Sequence, residues 1–207
     1  LAYMIMIMPA RQQRGGVDMG MSSSKTLDNK DLESLQKNTR YVAAVSPMVS
    51  SNAQMIYGNN NHSSSIKGVS AAYLDIRKYE IQEGVMFTDE DVRRYNKVCV
   101  IGQTVVKKLF TNGEDPIGKT IRFGSIPMKV IGVLAEKGQN GMCNDQDDIV
   151  FAPYTTIQKR FLGITYFNMM YASATSEEES ELAATELTYI LRSNHGIKSG
   201  DADDFEI

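Results

Sequence analysis

The chain has 207 residues, of which 42% are hydrophobic and 23% charged, the balance of an ordinary globular protein, which excludes a disordered chain or a coiled coil. Its 22 Lys and Arg against 25 Asp and Glu leave a formal charge of −3, so the basic footprint of a nucleic-acid binder is absent and no nucleic-acid partner is expected. No apolar run approaches the roughly 20 residues that span a bilayer, and Cys99 and Cys143 are too few for a disulfide scaffold and not spaced as zinc ligands.

Residues 4–8 read as a short apolar strand ending at Pro9, without the basic start of a secretory signal. Residues 11–25, rich in Gly, Ser and Gln, read as a mobile loop. A first helix is predicted from Asp28, whose carboxylate suits an N-cap, with Leu27 and Leu32 at the spacing of a hydrophobic staple and Leu32 and Leu35 as a narrow apolar face. A strand follows at 41–47, then a turn at Asn59-Asn60-Asn61 between extended pieces 53–57 and 64–72. The middle of the chain predicts a short helix capped by Thr88, a strand at 98–101, a helix at 104–110 and a strand pair at 120–123 and 128–134. An acidic, Gly-rich loop at 137–148, a strand at 149–151 and a turn at Pro153 complete it.

Residues 167–174 read as a strand and 177–194 as a helix, opened by a capping box of Ser176 and Glu179. Ala183, Leu187, Ile190 and Leu191 form its apolar face, while Arg192, His195 and Gly196 suit its C-terminal end. Residues 203–207 alternate polar and apolar as a last strand. Both ends thus look like strands cut from a longer chain, the expectation being a domain tethered at both ends. Each end spells strand–helix–strand, which together resemble a split ferredoxin-like sheet. The predicted class is α+β, with a discontinuous split βαβ subdomain from residues 1–72 and 166–207 and a smaller mixed α/β subdomain inserted at 73–165.

Residues 113–120 satisfy Gly-x4-Gly-Lys-Thr, the phosphate-cradling pattern. That mechanism needs a strand before the loop and a helix starting at the Lys-Thr. Here the order is reversed, Glu114 and Asp115 would repel phosphate, and Pro116 lacks an N–H, so a helix-to-strand turn is predicted. Asp145, Asp147 and Asp148 lack the Gly and distant Glu of a calcium loop and read as a solvated acidic turn. His62 and His195 stand in no recognisable catalytic signature. Cys99 in a strand and Cys143 in a loop would pair in an oxidising compartment only if brought within bonding distance; the default is a buried small hydrophobe and a free thiol. Lys107-Lys108 and Arg93-Arg94 read as solvated helix faces. No catalytic, cofactor-binding or metal residue is assigned, no cofactor is expected, and no enzyme activity is predicted.

One ordered series remains: Gly84-Val85-Met86-Phe87-Thr88-Asp89-Glu90-Asp91, Val98-Cys99-Val100-Ile101-Gly102, Leu109-Phe110, Asp115-Pro116-Ile117-Gly118-Lys119-Thr120-Ile121-Arg122, Val130-Ile131-Gly132-Val133-Leu134, Asp147-Asp148-Ile149-Val150-Phe151-Ala152-Pro153-Tyr154 and Asp203-Asp204-Phe205. It resembles the extracytoplasmic core domain of MacB-type ABC transporter permeases, which lies between their first and second membrane helices. Asp-Pro-x-Gly-Lys belongs to that pattern and accounts for the Gly-Lys-Thr coincidence. The resemblance implies that the split subdomain is porter-like and that the permease is a homodimer of the inner membrane. It implies a cytoplasmic ATP-binding domain whose hydrolysis moves this periplasmic domain, and in some members a periplasmic adaptor protein during export. Sister permeases release lipoproteins or regulate cell-wall hydrolases. A free-standing periplasmic binding or sensor protein is the rival outside the superfamily, distinguished by a signal peptide and no flanking membrane helices.

Overall fold

In chain order the structure, a computed structural model that describes residues 3–10, 13–14, 17–18, 27–138 and 145–207, runs β1 (Met4–Pro9), β2 (Gln13–Arg14), β3 (Val17–Asp18), α1 (Asn29–Lys37), β4 (Val42–Tyr57), β5 (Asn60–Val69), α2 (Tyr73–Arg77) and β6 (Ile81–Gly84). It continues through α3 (Asp89–Arg93), β7 (Val98–Ile101), α4 (Gln103–Leu109), β8 (Thr120–Phe123), β9 (Ile126–Leu134) and β10 (Ile149–Pro153). α5 (Tyr154–Ile157), a π-helical turn (Gln158–Leu162), β11 (Met169–Ala174), α6 (Ser180–Asn194) and β12 (Phe205–Glu206) complete it. The class is α+β. Part of the segment read as a loop is a hairpin, with Gln13 opposite Asp18 and Arg14 opposite Val17. Gly15-Gly16 between them is a two-residue hairpin signature that a reading by composition passes over. The rest of that segment lies outside the described residues.

Contacts divide the chain into two units. The first comprises Leu1–Met48 and Thr165–Ile207. Its strands run in the order β12-β1-β11-β4, all antiparallel, with Met8 opposite Glu206, Ile7 opposite Met170 and Tyr171 opposite Ser46. Strict alternation along β1 buries Ile5 and Ile7, and these share the core with Leu32 and Leu35 of α1 and Ala183, Leu187 and Leu191 of α6. Asp28 caps α1 as predicted, in a reciprocal box with Asp31. The end of α6 is a Schellman motif: Gly196 sits at φ +65°, Ile197 N–H donates to Arg192 O at 2.9 Å and Gly196 N–H to Ser193 O at 3.3 Å. The start of α6 differs from expectation. The helix opens at Ser180, with Glu179 as an N-cap that makes no side-chain cap bond. The Glu179 N–H donates to the Ser176 carbonyl and not to its hydroxyl, and the Glu179 carboxylate accepts the Thr175 hydroxyl, so the expected capping box is not formed.

The second unit is Val49–Ile164. Its strands close a ring, β4-β5-β10-β7-β9-β8, because β8 pairs with both β9 and β4, Met55 facing Phe123. The ring mixes directions: β5–β10 and β7–β9 are parallel, whereas β7–β10, β8–β9 and β4–β8 are antiparallel. β6 pairs with β9 outside it. All five residues of β10 are buried, as befits a strand covered on both faces. This closure moves the boundary. The sequence places residues 49–72 with the chain ends, but the second part of β4 and all of β5 find their partners in β8 and β10. The division falls after Met48 rather than after residue 72, and the inserted unit is the longer one. The β4–β5 turn is at Gly58-Asn59, with Gly58 at φ +58°, one residue earlier than the Asn triplet suggested. α2, β6 and α5 are elements that the sequence reading left without structure.

Candidate functional site

In the first unit, His195 stands directly after α6. Its Nε2 lies 2.8 Å from Asp31 Oδ2 and its Nδ1 2.6 Å from Asp204 Oδ1. An imidazole whose two nitrogens both face carboxylates donates at both, which only the protonated ring can do. Burial pulls the His195 pKa down, but hydrogen bonds to Asp31 and Asp204, with their charges, outweigh it and hold the pKa above its ordinary value. Asp31, 1% exposed, also accepts from Asn194 Nδ2 at 3.1 Å, and the Phe205 ring stands edge-on to the imidazole. Arg192 reaches the Asp203 carboxylate and the carbonyls of Lys198 and Asp201. Neither hydroxyl nor thiol bonds to His195 among the described residues, so the arrangement is a charged clasp and not a nucleophile–base pair. Asp31 and His195 are 164 positions apart, and no local pattern in the sequence joins them.

A cleft of about 270 Å³ beside α6 is lined by Asn38, Glu186, Tyr189, Ile190, Ser193 and Asn194. Its one carboxylate, Glu186, accepts the backbone N–H of Arg40 at 2.7 Å and of Tyr41 at 2.6 Å, and so serves the turn after α1.

In the second unit the three aspartates after the acidic loop point to three different tasks. Asp147 accepts the N–H groups of Lys137 and Gly138. Asp145 takes the Thr104 hydroxyl at 2.6 Å, and that bond, against some burial, holds its carboxyl below the usual range. Asp148 Oδ1 accepts from Ser64 at 2.7 Å and faces His62 Nε2 at 2.9 Å. No cluster able to hold a metal exists among the described residues. Asp145 thus ties this turn to α4, Asp147 to the segment after β9 and Asp148 to β5, and Asp147 is buried where the sequence reading has a solvated turn.

Residues 113–120 form the helix-to-strand turn that the sequence predicts. The amides that a phosphate would need are used internally: Ile117 N–H by Asp115 Oδ1, Gly118 N–H by Val130 O at 2.8 Å, and Lys119 N–H by Pro116 O. Thr120 opens β8 and not a helix. Lys119 is exposed. Titration with ATP is therefore expected to show no saturable binding, and Lys119→Ala to change stability by no more than about 0.5 kcal/mol; a micromolar ATP site abolished by that substitution contradicts this. Arg93 and Arg94 both pair with Glu90 on the outer face of α3, and Lys107 and Lys108 are exposed in the last turn of α4. Cys99 is a buried free thiol whose pKa burial pushes up, an inert packing group. Cys143 lies outside the described residues.

No helix among the described residues is long and apolar enough to cross a membrane. Comparison with known proteins gives a consistent result. The macrolide export ATP-binding/permease proteins MacB of Syntrophobacter fumaroxidans and Pectobacterium atrosepticum are 37% and 36% identical over 180 and 185 residues, 86% and 89% of this chain. The chain spans only 25% and 28% of those two relatives. The crystal structure of the periplasmic region of MacB from Actinobacillus actinomycetemcomitans superposes with a TM-score of 0.80 at 27% identity, over 99% of this chain and 87% of that one. The extracellular domain of the ABC-type transporter YknZ from Gram-positive bacteria shares the fold, with a TM-score of 0.76 at 21% identity over 98% of each chain. Residues 2–190 match the family described as the MacB-like periplasmic core domain, and the chain belongs to that family.

Proposed function

We propose that this chain is the extracytoplasmic part of a MacB-type ABC transporter permease, a non-catalytic element that passes motion to a periplasmic substrate or adaptor during export. ATP is hydrolysed in a separate cytoplasmic domain, the full permease is a homodimer in the cell membrane, and a macrolide is the first cargo to test. The observation that carries the reading is the family match over residues 2–190. Two further points support it. The side chains that resembled catalytic or phosphate-binding groups are spent on fastening the fold. The matched relatives extend far beyond the aligned segment, which leaves room for the ATP-binding and membrane parts that their names require.

The test uses the full-length gene product in a cell lacking its own macrolide exporter. Replacing these residues by a short flexible linker is expected to reduce macrolide resistance to that of the empty strain while ATP binding persists. Resistance that survives the replacement overturns the proposal.

A further inference from the structure

A third group of charges, in the second unit, has no role in the readings above. Lys67 lies on β5 in register with Phe151 of its parallel neighbour β10, so the two side chains leave the sheet on the same face. Tyr73 of α2 and Tyr79 stand edge-on to the Phe151 ring, with centroids at 5.3 and 5.0 Å. Each tyrosine carries a cation. Arg77 places its guanidinium carbon 6.0 Å from the Tyr73 ring centre, and Lys137 places Nζ 3.8 Å from that of Tyr79. Lys137 Nζ also donates to the Arg77 carbonyl at 2.7 Å, which ties the segment after β9 to the end of α2.

No carboxylate is among the charges acting on Lys67. The carboxylate acting on Lys137 is Asp147, and it is already engaged by the N–H groups of Lys137 and Gly138. The Lys67 side chain is half-buried and makes no hydrogen bond or ion pair among the described residues. Burial lowers the Lys67 pKa and the Arg77 charge lowers it further; Lys137 is lowered by the same two causes, with Asp147 opposing. A half-buried ammonium without an anion pays for its lost hydration, and neighbouring cations add repulsion. A dianion seated among these groups removes both costs, and a guanidinium beside an ammonium suits the fork and point-charge recognition of phosphate oxygens.

We propose that Lys67, Arg77 and Lys137 form a binding site for a small oxyanion of the phosphate class, backed by the wall of Tyr73, Phe151 and Tyr79. The site is independent of residues 113–120, and of whether the chain serves an exporter.

Thermal melting of the chain tests this, with inorganic phosphate titrated at constant ionic strength against chloride, and with Lys67 15N-labelled at Nζ and followed by NMR. Phosphate is expected to raise the melting temperature saturably and to shift the Lys67 resonance with the same midpoint. In Lys67→Met the affinity is expected to fall at least about tenfold, the equivalent of one lost charge-assisted bond, while Lys67→Arg retains it. Without phosphate the Met variant is expected to melt no lower than the parent, because it loses an uncompensated charge. Equal phosphate stabilisation of parent and Lys67→Met, or a shift of Lys67 that never saturates, overturns the proposal. Acetate saturating at lower concentration than phosphate overturns its assignment to the phosphate class.

Discussion

Asp31→Ala is expected to cost about 3–5 kcal/mol of folding stability at pH 6, the loss that follows when one partner of a buried ion pair is removed. The side chain is 1% exposed and serves three groups at once: Asp28 N–H in the cap of α1, Asn194 Nδ2, and His195 Nε2. Without it, Asp204 is the one countercharge left to the largely buried imidazolium among the described residues. Urea denaturation of parent and variant measures the difference, and a loss below about 1 kcal/mol would show that the clasp is ornamental. The same cluster sets a pH dependence whose sign is fixed by the raised His195 pKa. Below about 6.5 the imidazole is charged in folded and unfolded chains alike, and its contribution is fully present. As pH rises through the raised folded-state pKa the native ring loses its proton and that contribution disappears. The stability gap between the parent and His195→Gln is therefore expected to be widest near pH 6 and to narrow toward pH 9; a gap that does not change with pH contradicts a protonated clasp.

Gly84→Ala is expected to cost about 3 kcal/mol or more, from two penalties that add at one backbone position. Gly84 ends β6 at φ +75°, opposite Gly132 of β9. A Cβ there would lie 2.1 Å from Ile131 O and 3.0 Å from Gly132 Cα, backbone atoms that move only if the strand pair separates. Gly132→Ala on the facing strand meets backbone as well, since a Cβ there would lie 2.4 Å from Val85 O. Gly58→Ala supplies the comparison: it shares a positive φ, +58°, but has nothing within 4 Å of its would-be Cβ. That variant is expected to lose only about 1–2 kcal/mol, the cost of the left-handed backbone alone. If the two variants unfold at the same denaturant concentration, steric closeness of β6 and β9 contributes nothing measurable.

What the sequence discloses and what it withholds follow from the range of the interactions. The caps at Asp28, Thr88 and Gly196 are local, formed by residues no more than five apart, and all three were legible. The box of Ser176 and Glu179 has the same signature, yet the Glu179 N–H takes the Ser176 carbonyl and its carboxylate the Thr175 hydroxyl, and a pattern of types cannot say which bonds form. Periodicity identified 53–57 and 120–123 as extended, but it carries no information on which strand pairs with which. The contact of Met55 with Phe123 that closes the ring, and so moves the unit boundary, was invisible for that reason. The charged clasp joins residues from both ends of the chain, and the cluster around Lys67 joins β5, α2 and the segment after β9. Family membership was legible from an ordered series of short motifs, a likeness of pattern and not a deduction from forces.

The pairing of β1 with β12 carries a mechanical consequence. Met8 faces Glu206, Pro9 faces Phe205, and Ala10 N–H donates to Asp204 O at 2.9 Å. Because the two strands are antiparallel, the segment before β1 and the segment after β12 meet this ladder at the same end. Tension that draws these two ends apart would break their rungs in succession, as a zip opens, instead of shearing them together. The yield point of the first unit then lies at this short ladder, and the bond from His195 to Asp204 is the rivet just behind it.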